Sequence, residues 1–160
     1  MNPTIKNLLK RIEELEADNA KMKHESAYGI LTRPGLEIEY RNLQGEMYAI
    51  FIDLDKIHDL NDKHNGVYES VDKMIRRAFA MRHDDLLLAG RWKSGDEIVF
   101  IVRADPEGFI GRLQRSLNKN GLSATCSAEK IEDHDLIGAV NKAIQRVYAA
   151  KKQNQRGGRV

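Results

Sequence analysis

The sequence predicts an α+β sandwich with a central antiparallel sheet, preceded by an N-terminal helix. Short apolar runs and amphipathic stretches alternate in the order strand, helix, strand, strand, helix, strand, helix. Residues 86–90 and 97–103 are apolar runs joined by RWKSGD, which has the turn residues of a hairpin. Residues 3–24 instead repeat apolar positions with a heptad period. This order of elements is typical of ferredoxin-like and palm-type sandwiches.

The composition is that of a globular chain with one core. Its 160 residues are 41% hydrophobic and 31% charged, and 26 basic residues nearly balance 24 acidic ones. The net charge of +2 gives no indication of a nucleic-acid or membrane partner. Because Cys126 is the only cysteine, an internal disulfide and a cysteine-based zinc site are excluded. With no apolar core of signal-peptide type near the N-terminus, we predict a cytoplasmic protein.

Residues 1–24 are predicted to form a helix that dimerises. Its apolar seam has alternating spacings of three and four, over Ile5, Leu8, Ile12, Leu15, Asn19 and Met22. Asn19 takes a seam position where a buried amide fixes the register of parallel dimers. Asn2 and Thr4 are both candidates for the N-cap. The alternative is that this seam packs on the chain's own second domain, residues 25–160.

The segment that follows is predicted to hold a linker, a central strand and a helix. Residues 25–45 contain turn residues and one short element. Residues 47–54 are apolar with little alternation, as in a strand that is covered on both faces. Residues 57–81 have helical periodicity, which Asn65 and Gly66 interrupt.

The C-terminal part predicts the remaining helix, strand and helix. Asp105 precedes a proline and is predicted to start a helix that runs to about Leu117. Residues 122–128 form a plausible strand. Either Asp133 or Asp135 caps a last helix with a continuous apolar stripe.

Two of the predicted strands carry carboxylates where they meet a turn. YAIFIDLD ends in Asp53 and Asp55, and RWKSGDEIVFIV has Asp96 and Glu97 at the head of its apolar run. If these strands are neighbours, Asp53 converges with the Asp96–Glu97 pair, and the carboxylates repel each other. A Mg²⁺ ion between them, shared with nucleotide phosphates, would relieve that repulsion. The alternative is that all of them are solvated turn residues.

Four segments resemble the GGDEF domains of diguanylate cyclases. SGDEI is similar to the family's signature, FIDLDKIHDLND to its strand-and-turn segment, LTRPGLE to its opening segment and RGGRV to its ending. The resemblance covers residues 27–160 and implies a GGDEF, palm-type fold for residues 25–160. Members of the family make cyclic di-GMP from two GTP molecules. Two facing domains each deliver the 3′-hydroxyl of one nucleotide to the α-phosphate of the other.

The resemblance implies roles for individual residues. Asp53, Asp96 and Glu97 match catalytic positions, and Asp53, the main-chain carbonyl of Leu54 and Asp96 would hold Mg²⁺ or Mn²⁺. The residues implied to bind nucleotide are Lys56, Ile57, Asn61, Ser70, Ser94, Gly95, Lys151 and Lys152. For Lys151 and Lys152 a solvated basic tail is the alternative. In this alignment Tyr148 takes the place of the family's phosphate-binding lysine.

The sequence also departs from the family's pattern. Ser94 replaces the first glycine of the signature and Ile98 its phenylalanine, while Ser70 replaces the aspartate that reads guanine. A serine can also donate to an adenine acceptor, so one interpretation of Ser70 is a mixed guanine–adenine product. The other interpretation is that the base-binding site has decayed. Trp92 is expected at the hairpin tip, against a partner subunit or a base, or exposed without a role.

These observations predict a dimeric, metal-dependent signalling enzyme that joins GTP, or GTP and ATP, into a cyclic dinucleotide. The alternative function is a catalytically inactive GGDEF-like domain that binds a nucleotide or a partner protein. A polymerase-like enzyme on the same palm-type fold is a third possibility. No nucleic acid or membrane is expected as a partner.

Overall fold

The computed structural model describes residues 2–24, 29–55, 68–93 and 96–157. Side chains at 18–24, 68–71 and 154–157 lie outside that description. The elements follow the predicted order. They are α1 (Pro3–His24), α2 (Arg33–Arg41), β1 (Tyr48–Leu54), α3 (Tyr68–Phe79), β2 (Leu86–Arg91), β3 (Glu97–Val102), α4 (Pro106–Lys119), β4 (Ala124–Lys130) and α5 (Leu136–Gly157).

The strands form one sheet in the order β2-β3-β1-β4. Each neighbouring pair is antiparallel, and β2 and β3 form the predicted hairpin. β1 therefore lies inside the sheet, and its burial on both faces explains why its sequence shows little alternation. The predicted α+β sandwich with a central antiparallel sheet is confirmed.

The alternation of β1 side chains divides the core into two layers. Ile50, Ile52 and Leu54 pack with residues of α3 and α4, such as Ile75 and Phe109. The intervening positions of β1 face the other way. Ala49 and Phe51 pack with α2 and α5, whose buried residues include Leu36, Val140 and Val147. Because of this alternation, the side chain of Leu54 lies on the α3–α4 face and that of Asp53 on the face covered by α2 and α5.

Side-chain caps explain where four of the helices begin. Asn2 Oδ1 accepts a hydrogen bond from the Thr4 amide at 2.9 Å, so Asn2 rather than Thr4 caps α1. Thr32 caps α2, and Asp105 caps α4 as predicted. Asp135 caps α5 by accepting from the Gly138 amide at 3.0 Å. The alternative cap, Asp133, instead lies in a left-handed turn with φ 53°.

Two expectations are changed by the structure. The helix predicted over 57–81 is described over Tyr68–Phe79, and the predicted break at Asn65 and Gly66 lies outside the described residues. Trp92, which was expected at the hairpin tip, is buried instead. Its side chain is 3% exposed, packs in the α2–α5 layer and lies 4.0 Å beneath the Arg33 guanidinium.

The apolar seam of α1 is open to solvent over its first half. Ile5, Leu8, Ile12 and Leu15 are between 46% and 60% exposed, so within the described part of the chain these four are not packed into either core layer. Leu9 beside them is also exposed. Within the described ranges, no helix combines the length and the apolarity needed to cross a bilayer.

A close approach of α2 to the sheet depends on Gly90 in β2. A Cβ atom at Gly90 would lie 2.7 Å from the Cβ of Leu36, which is fully buried. We therefore expect Gly90→Ala to lower the free energy of unfolding by about 1–3 kcal/mol, because two packed elements have to separate. Urea-induced unfolding measures the change.

Gly111→Ala in α4 is the matched control. The nearest group to its new methyl would be the flexible end of Arg115, at 3.6 Å. This variant should be more stable by roughly 0.5–1 kcal/mol, because alanine favours a helix interior over glycine. Equal stability of Gly90→Ala and the wild type would contradict the steric argument.

Candidate functional site

The predicted convergence of carboxylates occurs between β1 and β3. Asp53 is the register partner of Glu97 on β3 and of Thr125 on β4. Cross-strand partners lie on the same face of a sheet, a few ångströms apart. Asp53 also continues the alternation of Phe51, so this group of side chains lies on the face that α5 covers.

Asp55 joins this group from just beyond the end of β1. Two residues after Asp53, it keeps the same side of the chain. Its Oδ1 accepts from Thr125 Oγ1 and its Oδ2 from Ser123 Oγ, both at 3.1 Å. The Asp55 amide also donates to the Ser123 carbonyl at 2.8 Å. Both carboxylate oxygens of Asp55 are therefore held, one by Thr125 of β4 and the other by Ser123, the residue before that strand.

Lys151 of α5 places its ammonium between the two aspartates. Its Nζ lies 3.2 Å from Asp53 Oδ2 and 3.1 Å from Asp55 Oδ1. Burial acts to lower the pKa of Lys151, but hydrogen bonds to Asp55 and Asp53 outweigh it, so the pKa is raised. The ammonium therefore stays charged at neutral pH and neutralises part of the carboxylate cluster.

Tyr148, three residues before Lys151 on α5, forms a hydrogen bond with the third carboxylate of the group, Glu97. Its Oη donates to Glu97 Oε1 at 2.6 Å. This hydrogen bond, with partial burial and the charges of Glu97 and Asp53, raises the pKa of Tyr148 to about 12. Among the described residues, the other oxygen of Glu97, Oε2, is buried without a hydrogen-bond partner. A spacing of three residues puts Tyr148 and Lys151 on one helix face.

Asp96 lies immediately before β3 and is half-buried. Its main-chain carbonyl accepts a hydrogen bond from the Leu54 amide at 3.1 Å. The two predicted metal-holding segments, the end of β1 and the start of β3, are therefore adjacent.

The donor set can be compared with what a cation needs. In the described part of the chain, no three acidic, histidine or cysteine side chains are grouped so that they could hold a metal ion by themselves. The ligand set of Asp53, Leu54 carbonyl and Asp96 thus stays a prediction. The chemistry nevertheless fits a hard cation, since an ammonium already lies between two carboxylates, and one oxygen of Glu97 has no partner among the described residues.

The predicted nucleotide-binding residues divide into three groups. Lys151 contacts the carboxylate cluster, whereas Lys152 is exposed. Ser70 lies in α3, but its side chain is outside the description. The remaining predicted residues lie outside the described part of the chain; these are Lys56, Ile57, Asn61, Ser94 and Gly95.

The sequence interpretation left three contacts out of the site. Asp55 was named as a carboxylate at a strand end but received no role, and its bonds from Ser123 and Thr125 and the bond from Tyr148 to Glu97 were not predicted. Two signals were available. A two-residue spacing after a strand places Asp55 beside Asp53, and the spacing of Tyr148 and Lys151 indicates a shared helix face.

Comparison with known proteins gives no match to a family model and none to a curated protein. Solved structures do match. The coiled coil and GGDEF domain of DgcB from Caulobacter crescentus, in complex with c-di-GMP, aligns with a TM-score of 0.65 at 14% identity, covering 94% of this chain and 91% of that one. A microbial GGDEF domain studied with cyclic di-GMP aligns with a TM-score of 0.64 at 20% identity, covering 79% and 88%.

A third match has a protein partner. The diguanylate cyclase SiaD of Pseudomonas aeruginosa, in complex with its activator SiaC, aligns with a TM-score of 0.62 at 18% identity, covering 94% of this chain and 68% of that one. At these identities the likeness is one of fold. The chain has the fold of a GGDEF domain, as the sequence motifs predict.

The hydrogen bond between Tyr148 and Glu97 can be tested by titration. We expect the tyrosine absorbance that is lost in Tyr148→Phe to titrate near pH 12 rather than near pH 10. Since the folded-state pKa lies above the unfolded one, the stability from this bond is present below pH 10 and is lost as the pH rises towards 12. Spectrophotometric titration at alkaline pH measures it.

Glu97→Gln removes the charge that raises this value, so the pKa of Tyr148 should fall towards 10. Glu46→Gln is the matched control, because Glu46 accepts from Tyr48 at another end of the sheet and should leave Tyr148 unchanged. Ionisation of wild-type Tyr148 near pH 10 would contradict the bond.

Proposed function

We propose that this chain is a divergent member of the GGDEF family that joins two nucleoside triphosphates into a cyclic dinucleotide and releases two pyrophosphates, one from each α-phosphate. One observation carries the proposal. On a GGDEF fold, Asp53 of the FIDLD segment and Glu97 of the SGDEI segment are register partners at the same end of the sheet. Residues 25–160 would form the cyclase domain, and residues 1–24 would bring two copies together.

The carboxylates would hold the metal ion of such a reaction. Asp53, the main-chain carbonyl of Leu54 and Asp96 would bind Mg²⁺ or Mn²⁺, and Glu97 would support them. When bound, the cation supplies charge neutralisation at the phosphates and activation of the 3′-hydroxyl. The Tyr148 hydroxyl fixes one oxygen of Glu97, and within the described part of the chain the other has no hydrogen-bond partner. Thr125 and Ser123 hold Asp55 in place.

The remaining site residues are proposed to bind the nucleotide. The amides of Lys56 and Ile57 would face the phosphates, and Asn61 and Ser70 the base. Ser94 and Gly95 would border the nucleotide, and Lys151 and Lys152 would neutralise phosphate charge. Because Ser70 can donate as well as accept, the substrates are GTP, or GTP together with ATP.

Dimerisation would complete the reaction, since each domain holds half of the substrates. The exposed seam of α1 supports a homodimer through this helix. The alignment of this chain with a solved coiled coil and GGDEF domain covers 94% of the chain. That share is too large to exclude the whole of α1, so part of this helix is included in the alignment. Pairing of α1 raises the effective concentration of the second half-site.

A specific observation also favours the second candidate, a domain that binds without turnover. Lys151 by itself offsets part of the negative charge of Asp53 and Asp55, so the cluster is tolerated in a protein that does not catalyse. Solved neighbours bind c-di-GMP or, in SiaD, an activator protein. A nucleotide or a protein partner would then be the ligand of this domain.

Incubation of the chain with GTP, ATP or both, in Mg²⁺ or Mn²⁺, distinguishes these functions. Mass spectrometry should detect a cyclic dinucleotide, whose bases identify the substrates. Asp53→Asn and Asp96→Ala should each reduce product formation by about a hundredfold or more, because they remove charge stabilisation at the reacting phosphate. Glu107→Gln, at an exposed carboxylate in the first turn of α4, should not.

No cyclic product from the folded wild-type protein would exclude the cyclase. Nucleotide binding in the same samples, measured by calorimetry, would then favour the binding-only domain. Absence of both would leave a protein partner as its ligand.

The role of α1 is tested by the mass of the chain in solution. Ile12→Lys places a charge in the middle of the seam and should shift a dimer towards the monomer, because the lysine cannot be buried between two helices. Light scattering after size exclusion measures the shift. Glu13→Lys introduces the same side chain one position away, off the seam, and should remain dimeric. A monomeric wild type across concentrations would contradict the assignment.

A further inference from the structure

The position of Lys151 has a consequence for how a metal ion could enter this site. Its ammonium contacts one oxygen of Asp53 and one of Asp55, at 3.2 and 3.1 Å. The three side chains are between 20% and 29% exposed, so they are neither buried in the core nor freely solvated. The ammonium therefore takes the place that a small cation would have between two hard oxygen donors.

We propose that Lys151 is an exchangeable counter-ion, which holds Asp53 and Asp55 together until a divalent cation binds and then moves to the nucleotide phosphates. The inference rests on the proposed metal-dependent function and extends it. It assigns to one side chain two successive contacts, first with the carboxylates and then with the substrate. It also makes metal loading and phosphate binding depend on each other.

The first argument is electrostatic. A divalent cation held by Asp53 would repel an ammonium that is 3.2 Å from the same carboxylate. The two positive charges therefore compete for Asp53, and the ion with the higher charge binds carboxylate oxygens more strongly. Conversely, the carboxylates need a positive neighbour while no metal is bound, and in the described part of the site Lys151 supplies it.

The second argument concerns which parts of the site can move. Asp55 is held by Ser123 and Thr125, and α5 is anchored one turn earlier by Tyr148 on Glu97. Val147 of the same helix is fully buried in the core. The lysine side chain, by contrast, is a flexible four-carbon stem with partial access to solvent. Rotation of this stem is enough to release the carboxylates, and the helix can stay in place.

The two contacts of Lys151 imply positive coupling between metal and nucleotide. A phosphate that attracts Lys151 withdraws it from Asp53 and Asp55, which raises the affinity of these carboxylates for a cation. By linkage, the cation raises the affinity for the phosphate by the same factor. The site would thus bind the metal weakly alone and more tightly with its substrate.

Mn²⁺ binding to the full chain without nucleotide tests the exchange. Calorimetry and the electron paramagnetic resonance of free Mn²⁺ give the dissociation constant. Lys151→Met should tighten it by about fivefold or more, because the competing charge is gone while most of the stem remains. Lys142→Met is the matched control: it removes the same charge from an exposed residue earlier on the same helix and should change the constant little.

Acetylation of the two lysines tests the movement itself. An amine-acylating reagent is applied without metal, with Mg²⁺, and with Mg²⁺ plus GTP, and fragment-ion mass spectrometry compares Lys151 with the exposed Lys142. Mg²⁺ should increase labelling of Lys151 relative to Lys142, and added GTP should reduce it again. This measurement does not depend on catalytic turnover.

The outcomes separate the two proposals. If Mn²⁺ binds equally to the wild type and both variants, and labelling of Lys151 is unchanged by Mg²⁺, the exchange is wrong while the metal site stands. If no Mn²⁺ binds to any of the three folded proteins, the metal-dependent function fails and the exchange with it. If both lysine variants tighten binding equally, a general charge effect replaces the specific role of Lys151.

Discussion

Like charges brought together at one end of the sheet constrain everything around them. Asp53 and Glu97 are direct partners on neighbouring strands, and Asp55 follows on the same side. Carboxylates this close need positive charges or hydrogen-bond donors facing them, since partial burial weakens their solvation. The structure supplies these groups from β4 and α5, as two hydroxyls, one phenol and one ammonium. The placement of α5 is in this sense part of the carboxylate site.

The core makes that placement possible. Alternating side chains of β1 divide the interior into two layers. Ala49 and Phe51 belong to the layer that α5 covers, and Asp53 is the next residue of β1 on the same face. Val140, Ala143 and Val147 fix α5 on this layer, so residues one turn further lie over the carboxylates. The same periodicity that builds a stable sandwich therefore directs donors and acceptors towards each other at its end.

Much of the fold follows from local signals, and less of the site does. Strand and helix periods, the RWKSGD turn and the cap at Asp105 predict the order of elements that the structure has, while the choice of Asp135 over Asp133 as the last cap comes from the structure. Trp92 was misplaced because turn residues describe the backbone and not the direction of the next side chain, which here packs under Arg33. Lys151 and Lys152 are equivalent as a sequence pattern. Only the three-dimensional position of α5 separates the one that reaches Asp53 from the one that faces solvent.

The bridge between Leu31 and Gly90 bears on how copies of this chain can associate. Leu31 donates to the Ala89 carbonyl and accepts from the Arg91 amide, at 3.0 and 2.9 Å, along the outer side of β2. At the opposite edge, Arg146 donates to the Ala128 carbonyl of β4. Outward backbone groups at Ala89, Arg91 and Ala128 are thus already occupied, which hinders the addition of a foreign strand at these points of the two edges. Association through helices does not compete with these hydrogen bonds.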